Sequence, residues 1–553
     1  MMIRRRVVLG QGAAALGLGT TALLGPTRTA QAASRAGGDV PAAHVLNRLG
    51  FGPRPGDLAT VGRDPSAWID AQLKPSELPL PAALTAKLRE SQFVDADPIA
   101  AVREYVSIAA QNNLQPNVAR SMEVGGDAAS MQMNPAAARQ AQAGQGQQAA
   151  TPLGRLVRAH QLPALESRLF RALESPRQLE EVMVDFWFNH FNIYQNKAFT
   201  RVLVGHYEHY AIRPFAMGRF RDLLGATAHH PAMLYYLDNW TSSVEREGPR
   251  DGGGGGVGDG IRRGLNENYA RELMELHTLG VDDGYTQADV TQLARMLTGW
   301  TLVPVRQRRA EALLAPAVRV VPPGHPADIP GFWFNPRQHD RGEKQWLGQR
   351  VAARGQAEGD FALDTLAAHP ATARHIGFKL AQYFVSDRPD PALVARLAQV
   401  FKAEDGQIVP VLRALFESDA FWAPDSVGAK FKTPYHFALS ALRAAGHSPA
   451  NVIALSTQLA SQGMPLFGCQ TPDGYKNTEA AWLNPDGMSK RINFATQLAQ
   501  LFSRSRDGVD VDALVAELGP LVTPATRRLV EQNRQDPSLA MALVLAGPGM
   551  MRR

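Results

Sequence analysis

The stretch that decides the fold is NENYARELMELHTLGVDDGYTQADVTQLARMLTGW, residues 266–300. Its apolar side chains recur three and four residues apart, which is the period of an amphipathic α-helix and not of a β-strand. Gly280 and Gly299 follow the two apolar runs, and glycine commonly lies just past the end of a helix. The stretch therefore predicts two short helices, at 266–280 and 287–299.

The same helical period recurs on both sides of this stretch. It is present in the segments 163–174, 179–191, 371–384, 391–401, 408–417, 434–445 and 536–545. The Asp-Pro pairs that begin at Asp390 and Asp536 are helix-start signals. Strand-like alternation is scarce, so the sequence predicts an all-α fold, a globule of many short helices.

Two aromatic runs are the exception to the helical period. They are FWFN at 332–335 and KQWL at 344–347, and turn-forming residues such as Pro336 and Gly342 separate them. Aromatic runs on either side of turn residues are typical of paired strands. We expect a small aromatic β-hairpin here.

Low-complexity composition interrupts the chain in three places. The stretches at about 125–151, 248–260 and 303–330 lack a period and are rich in Gly, Gln, Ala or Pro, which is typical of insertions. We expect a helical domain over 33–505 that carries these insertions. A helical C-terminal tail is expected over 506–553.

The first residues have the pattern of an export signal. Arg4, Arg5 and Arg6 precede a Gly/Ala/Leu-rich run that reaches Leu24, and a small-x-small site ends at Ala32. Paired arginines, a glycine-diluted apolar core and such a site are typical of a twin-arginine signal peptide, here residues 1–32. The protein is therefore expected to be periplasmic or secreted.

Charge and cysteine content narrow the functional classes. The chain has 58 Lys and Arg against 52 Asp and Glu, and four of the arginines lie in the leader, so the remainder is nearly neutral. A near-neutral protein without a basic block lacks the positively charged surface that nucleic acid binding requires.

Cys469 is the only cysteine, so an intrachain disulfide cannot form. After the leader, no apolar stretch is long enough for a transmembrane span.

Several phrases of the chain are familiar together. Besides the 266–300 stretch they are NRLGFGPRPGD from Asn47, VDFWFNHFNIY from Val184, FNPRQHDRGEKQWLG from Phe334 and KFKTPYHFALSALRA from Lys430. With these phrases the chain resembles the bacterial family called domain of unknown function 1800, from about residue 42 to residue 502. The resemblance implies an exported helical protein and no particular reaction.

The resemblance also implies a partner. Genes of this family commonly neighbour a second exported family, domain of unknown function 1501, which resembles the alkaline phosphatase and sulfatase superfamily. A co-exported partner of that family is therefore expected.

The 266–280 helix carries the strongest candidates for chemistry. On a helical projection, Glu272 and Glu275 lie at the edge of the apolar stripe. Carboxylates at such a rim can act as acids, bases or metal ligands. Arg271, four residues after Glu267 and four before Glu275, offers a simpler interpretation, which is ion pairing within the helix. Both interpretations stay open.

A second candidate lies in the 179–191 helix. His190 follows aromatic residues on one face, which indicates a core histidine or a catalytic one. Glu181, Asp185 and Asn189 form a polar stripe that is unusual among so many Phe and Trp residues. If this stripe faces Glu272, Asp185 and Glu272 share a pocket where crowded carboxylates recruit a divalent cation.

Two residue pairs that contain histidine complete the candidates. His339 and Asp340 lie between the aromatic runs, where they serve either as a general base or metal ligand or as a turn that closes the hairpin. His206 and His209 have a spacing that suits a metal. An exposed charged turn is the preferred interpretation of that second pair.

No signature of a well-known enzyme class occurs after the leader. The leading hypothesis for function is therefore an accessory or binding partner of a co-exported enzyme that resembles the phosphatase and sulfatase superfamily. The alternative is a metal-assisted or acid/base hydrolase. In that alternative, Glu272, Glu275, His190, His339 and Asp340 converge on a carboxylate–histidine pocket between helices.

Overall fold

The structure is a computed structural model, and it describes residues 39–91, 97–111, 151–244, 264–281, 284–303, 329–504 and 510–553. The predicted leader, the 248–260 insertion and nearly all of the 125–151 and 303–330 insertions lie outside the described residues.

Helices dominate the described residues, which confirms the predicted all-α class. In chain order the α-helices are α1 Asp39–Arg48, α2 Asp57–Val61, α3 Pro65–Gln72, α4 Ala82–Glu90, α5 Pro98–Gln111, α6 Pro152–Glu174, α7 Gln178–His190, α8 Thr200–His206, α9 Phe220–His229, α10 Pro231–Tyr236, α11 Asn268–Glu275, α12 Gln287–Met296, α13 Gln356–Ala368, α14 Pro370–Phe384, α15 Pro391–Ala403, α16 Ile408–Phe416, α17 Asp419–Trp422, α18 Pro434–Ala444, α19 Val452–Ser461, α20 Glu479–Trp482, α21 Pro485–Arg504, α22 Val511–Leu518, α23 Pro524–Gln532, α24 Pro537–Leu545 and α25 Pro548–Met551.

Shorter elements join these helices. A π-helix spans Tyr207–Ile212, and 3-10 turns span Pro75–Glu77, Arg213–Phe215, Asn239–Thr241, Pro424–Ser426 and Gly519–Leu521. The strands are β1 Trp300–Leu302, β2 Phe332–Phe334, β3 Lys344–Trp346 and β4 Gln349–Val351.

Capping side chains set where many helices begin. Asp390 and Asp536 accept hydrogen bonds from backbone N–H groups of α15 and α24, and a proline follows each of them. Proline fits the first helical position because its missing N–H would have no partner there. At α12, Thr286 and Asp289 form a reciprocal capping box. These local signals confirm the predicted start sites.

The strands pair differently from the predicted hairpin. A small antiparallel hairpin is present, but β3 pairs with β4, and β2 pairs with β1, which directly follows α12. The prediction that the two aromatic runs pair with each other is therefore wrong. Leu347 and Gly348 both have positive φ. Two such residues form the tight turn that favours hairpins, so Lys344–Trp346 finds its partner immediately downstream.

One hydrophobic core runs through the described chain from Ala42 to Met551. The C-terminal helices share it, since Met550 and Met551 are buried and Arg552 bridges to Phe431. The predicted tail thus packs on the same core as the rest of the protein. Helix α7 lies at its centre, with nearly all of its side chains buried.

None of the helices in these described ranges is long and apolar enough to cross a membrane.

Candidate functional site

The candidate site begins at the C-terminal end of α11. The sequence predicts this helix to residue 280, but it ends at Glu275. The amides of Leu276 and His277 both donate to the carbonyl of Glu272, at 2.9 and 3.1 Å. The chain then turns inward, so His277 is buried while Glu272 stays at the rim.

Glu272 is a half-buried acid that the protein leaves unpaired. Within the described residues, no hydrogen bond or ion pair engages its carboxylate. Burial raises its pKa to about 7, and the charges of Glu275 and Asp473 add to this effect, against Arg271. Glu272 therefore carries a proton for much of the time at neutral pH. Glu275, in contrast, pairs with Arg271 at 3.4 Å, as the simpler interpretation predicted.

Asp473 comes to the site on a loop that α7 and the residues after it hold firmly. The side chain of Asn189 accepts from the amide of Tyr475 at 2.7 Å and donates to its carbonyl at 2.9 Å. Asn192 donates to the carbonyls of Cys469 and Thr471, at 3.1 and 2.8 Å. Preorganised loops of this kind are typical of functional sites.

The environment of Asp473 is the opposite of that of Glu272. Burial opposes its ionisation, but hydrogen bonds from Lys476 and Thr471 hold its pKa below the usual value. The site thus contains one carboxyl group that holds its proton and one that releases it. Pairs of acids with divergent pKa values are a recurrent feature of acid–base sites.

Lys379 and a cluster of histidines lie behind these two acids. Burial lowers the pKa of Lys379, the charge of Lys476 lowers it further, and Asp473 opposes this. Burial also lowers the pKa of His277 to about 3, with smaller effects of His375 and Lys379. The imidazole of His277 is therefore neutral at physiological pH.

His190 belongs to the same cluster and is buried. Its Nε2 donates to the carbonyl of His277 at 3.1 Å, and its ring packs against Phe186 and Trp187. Burial holds its pKa well below the usual range. Among the described residues, His190 Nδ1 and His277 Nε2 have no hydrogen-bond partner. His190 thus lies in the core behind the site, where it supports the turn that follows α11.

Tyr236 and Cys469 form another wall of the site. The hydroxyl of Tyr236 donates to the carbonyl of Gln470 at 2.7 Å, which ties α10 to the Asp473 loop. Burial raises the pKa of Tyr236, and neighbouring Cys469 and Glu272 raise it further. Burial likewise raises the pKa of the Cys469 thiol. Both groups are protonated at neutral pH.

The polar stripe on α7 serves ion pairs instead of a metal. Asp185 pairs with Arg168, which also binds Glu208 at 2.8 Å, and Glu181 binds Arg213 at 2.8 Å. No hydrogen bond or ion pair joins Asp185 to Glu272 anywhere in the described chain. The same residues contain no group of three or more His, Cys, Asp or Glu side chains placed to hold a metal ion.

The histidine pair at 206 and 209 was expected in an exposed turn, and that expectation is wrong. His206 and Glu208 are buried, and His206 Nδ1 lies 2.9 Å from His230 Nε2. The π-helix places Glu208 inward, where Arg168 and Arg213 neutralise it. Two buried arginines thus stabilise its inward orientation.

His339 is buried in a separate charged cluster. Its Nδ1 lies 2.8 Å from the carbonyl of Thr298, and its Nε2 lies 3.1 Å from Glu358 Oε1. Lys344 Nζ lies 2.6 Å from the other oxygen of Glu358, and Asp340 binds Arg295 at 2.7 Å. These contacts fasten the loop to α12 and α13. The loop therefore has a structural role, but it does not close a hairpin, because β2 and β3 on either side of it pair with other strands.

Sequence reasoning finds Glu272 and Glu275 but misses Asp473, Lys379 and Tyr236. The available signal for Asp473 is the phrase TPDGY, where Pro and Gly flank an acid as in a built turn. Lys379 carries no local signal, because only the packing of α14 against the turn after α11 brings it to the site.

Comparison with known proteins adds one finding. A family model described as protein of unknown function (DUF1800) matches residues 44–552, nearly the whole chain. The match continues past residue 502, where the resemblance of the sequence phrases ends. No curated protein and no solved structure matches the chain.

Proposed function

The chain belongs to the DUF1800 family of proteins of unknown function, and from this premise we propose that it is an acid–base hydrolase with Glu272 as general acid. Asp473 is the carboxylate that activates water. The observation that carries the proposal is the half-buried, unpaired carboxyl group of Glu272, with a pKa of about 7, beside Asp473. A general acid works best when its pKa lies near the working pH.

A purely structural role explains Glu272 poorly. A structural carboxylate gains stability from cations or N–H donors, which lower its pKa. Glu272 has no hydrogen bond or ion pair in the described chain, the charge of Arg271 does not offset its burial, and its raised pKa means that ionisation weakens the fold. Strongly perturbed acids of this kind concentrate at functional sites.

Hydrolysis is tested with Glu272→Gln, which keeps the shape of the side chain and removes the titrating proton. The substrates are p-nitrophenyl esters, phosphates, sulfates and glycosides, and the rate is measured from pH 5 to pH 9. We expect the variant to lose about 100-fold or more in kcat/KM on the substrate that the protein cleaves. Glu275→Gln, one turn away and already paired with Arg271, is the matched control.

Two results would refute the proposal. One is full activity of Glu272→Gln at every pH. The other is the absence of turnover on every substrate class of the panel.

An accessory role is the second candidate, because an exposed apolar rim flanks the same site. Val281 is 63% exposed and Phe378 is 38% exposed. Gly280, just before Val281, packs against His375, which lies one helical turn before Phe378. Exposed apolar groups beside a polar site are typical of partner surfaces. A co-exported protein of the domain of unknown function 1501 family is the proposed partner.

The accessory role is tested by co-purification of the two proteins after co-expression. Phe378→Ser should release the partner. Leu529→Ser, which changes another exposed apolar residue, should retain it. Equal retention by both variants would exclude this surface.

Twin-arginine export to the periplasm or beyond is proposed as the route. It rests on the leader pattern at Arg4, Arg5 and Arg6 and on the small-x-small site that ends at Ala32.

A further inference from the structure

We propose that the substrate is a glycan, and that Tyr475 and Trp482 form the aromatic surface on which one of its sugar rings stacks. This inference rests on the proposed hydrolytic function and names its substrate class.

The two aromatic rings lie on the segment that carries Asp473. Their centroids are 6.0 Å apart at 55°, and both side chains are partly exposed. Trp482 Nε1 donates to the carbonyl of Lys476 at 2.7 Å, and the Tyr475 hydroxyl donates to the carbonyl of Pro465 at 2.9 Å. The polar end of each ring is therefore occupied by backbone. What remains for a ligand is the part of the apolar ring surface that the core leaves exposed.

An aromatic surface of this kind suits a sugar. The axial C–H groups of a pyranose form an apolar face, while its hydroxyl groups point outward from the ring edge. Tyr and Trp are suited to such mixed ligands because they combine a large rigid apolar surface with a polar tip. A sugar that covers the ring faces keeps its hydroxyl groups free for the polar neighbours.

The two hydrogen bonds from Asn189 to the backbone of Tyr475 fix the aromatic surface relative to Asp473. Asn189 holds both backbone groups of Tyr475, and a close contact with the backbone of Asn189 leaves no room for a side chain at Gly474. Asp473 and Tyr475 therefore keep one relative position. A sugar bound on Tyr475 lies beside the carboxylate that the mechanism requires.

Unpaired polar groups supply contacts for hydroxyl groups. Across the described residues, Lys379 makes no hydrogen bond or ion pair, although it lies near Asp473 and His277. Hydroxyl groups both donate and accept, so they suit both the Lys379 side chain and the protonated carboxyl group of Glu272 in one site.

The chemistry balances as a hydrolysis. The glycosidic oxygen takes the proton of Glu272 as its bond to the anomeric carbon breaks. Water adds its oxygen to that carbon and gives one proton to Asp473. The two carboxyl groups then exchange this proton with solvent, so one glycosidic bond and one water become two hydroxyl-bearing products.

Binding is measured separately from cleavage. The full-length mature protein with Glu272→Gln, which lacks the acid, is titrated calorimetrically with cellohexaose, xylohexaose, chitohexaose and oligogalacturonate. We expect at least one of them to bind. Adding Trp482→Ala should weaken that binding at least tenfold, while Trp482→Phe retains most of it. Trp422→Ala is the matched control, because Trp422 also donates its Nε1 to a backbone carbonyl and lies elsewhere.

The outcomes separate this inference from the proposed acid. Absence of binding to all four saccharides, or equal binding by the Trp482→Ala and Trp422→Ala proteins, overturns the glycan. Preference for a peptide library over every saccharide overturns it as well. If Glu272→Gln abolishes hydrolysis while Trp482→Ala changes nothing, the role of Glu272 as general acid is supported and the glycan substrate is refuted. Circular dichroism confirms that each variant folds.

Discussion

The side-chain amide of Asn189 binds both backbone groups of Tyr475: its Oδ1 lies 2.7 Å from the Tyr475 amide nitrogen, and its Nδ2 lies 2.9 Å from the Tyr475 carbonyl oxygen. These two hydrogen bonds join the centre of the fold to the candidate site, because α7 is buried and the loop that contains Tyr475 also carries Asp473. Gly474 packs closely against Asn189, and a Cβ at this position would lie 2.2 Å from the backbone oxygen of Asn189. The position of Asp473 thus depends on a glycine.

Gly474→Ala should disrupt the site and weaken the fold. The residue has φ of 70°, and its new Cβ meets backbone, which cannot yield as a flexible side chain can. We expect a loss of about 3 kcal/mol in the free energy of unfolding, measured by urea denaturation, together with a strong loss of any hydrolytic activity.

Gly348→Ala separates backbone strain from the clash. Gly348 has nearly the same φ, 73°, but no atom lies within 4 Å of the position that a Cβ would take there. Its cost should be only about 1 kcal/mol. Equal losses in the two variants would show that strain alone matters and that the Asn189 contact does not.

Much of the fold is predictable from the sequence because its signals are local. Asp390 and Asp536 cap helices in the structure as their Asp-Pro pairs predict, and Gly280 and Gly299 have positive φ in the turns that follow α11 and α12, although both helices end several residues earlier than predicted. Strand pairing is harder to predict from the sequence. The turn at Leu347 and Gly348 pairs β3 with β4, and the aromatic runs contain no signal that predicts this turn.

The candidate site is only half predictable for the same reason. Glu272 is found because helical period places it beside an apolar stripe. Asp473 and Lys379 reach it from segments about two hundred and one hundred residues away, and sequence spacing cannot bring these together. His339 is misleading in the opposite way. Its polar sequence neighbourhood suggests a working loop, but Glu358 and Lys344 draw it into the core.

Glu358→Gln should destabilise the protein without acting on the candidate site. Glu358 neutralises buried Lys344 at 2.6 Å and binds His339 Nε2, and the loss of its charge leaves this buried cation only the more distant carboxylate of Asp340, at 3.7 Å. Removal of one partner of a buried pair costs about 3–5 kcal/mol when the other charge is left uncompensated, and Asp340 at 3.7 Å places the expected loss at the lower end, about 3 kcal/mol. We expect a loss of this size in the free energy of unfolding, with activity per folded molecule intact.

Glu343→Gln is the control for this cluster. Glu343 pairs with Arg350 on the surface of the same hairpin, where both side chains are exposed. Surface ion pairs contribute about 1 kcal/mol or less. A similar loss in both variants would contradict the assignment of the cluster around Glu358 as the main fastening of this loop.

The predicted leader can be tested by its ability to direct export. Fused to a reporter that is active only after export in the folded state, residues 1–38 should deliver it to the periplasm. Replacing Arg4, Arg5 and Arg6 together with lysine should abolish delivery, because the twin-arginine pathway requires the arginine pair. Continued export of the triple variant would refute the twin-arginine route.

The pKa of Glu272 makes stability depend on pH. The carboxyl group titrates near 4.5 in the unfolded chain and near 7 in the folded protein. Below pH 4.5 both states hold the proton, so the group costs nothing. As the pH rises from 4.5 to 7, the unfolded chain releases the proton first, and the folded state loses stability; above pH 7 the full cost is present.

Glu272→Gln removes this cost and should therefore stabilise the protein at high pH only. Because water screens a half-buried group, we expect roughly 2 kcal/mol of added stability at pH 8 and almost none at pH 4.5. Urea denaturation at both pH values measures it, with Glu275→Gln as control for the lost charge. A gain that is equal at the two pH values would show that Glu272 does not titrate in this range. The function proposed for it would then fail with the same experiment.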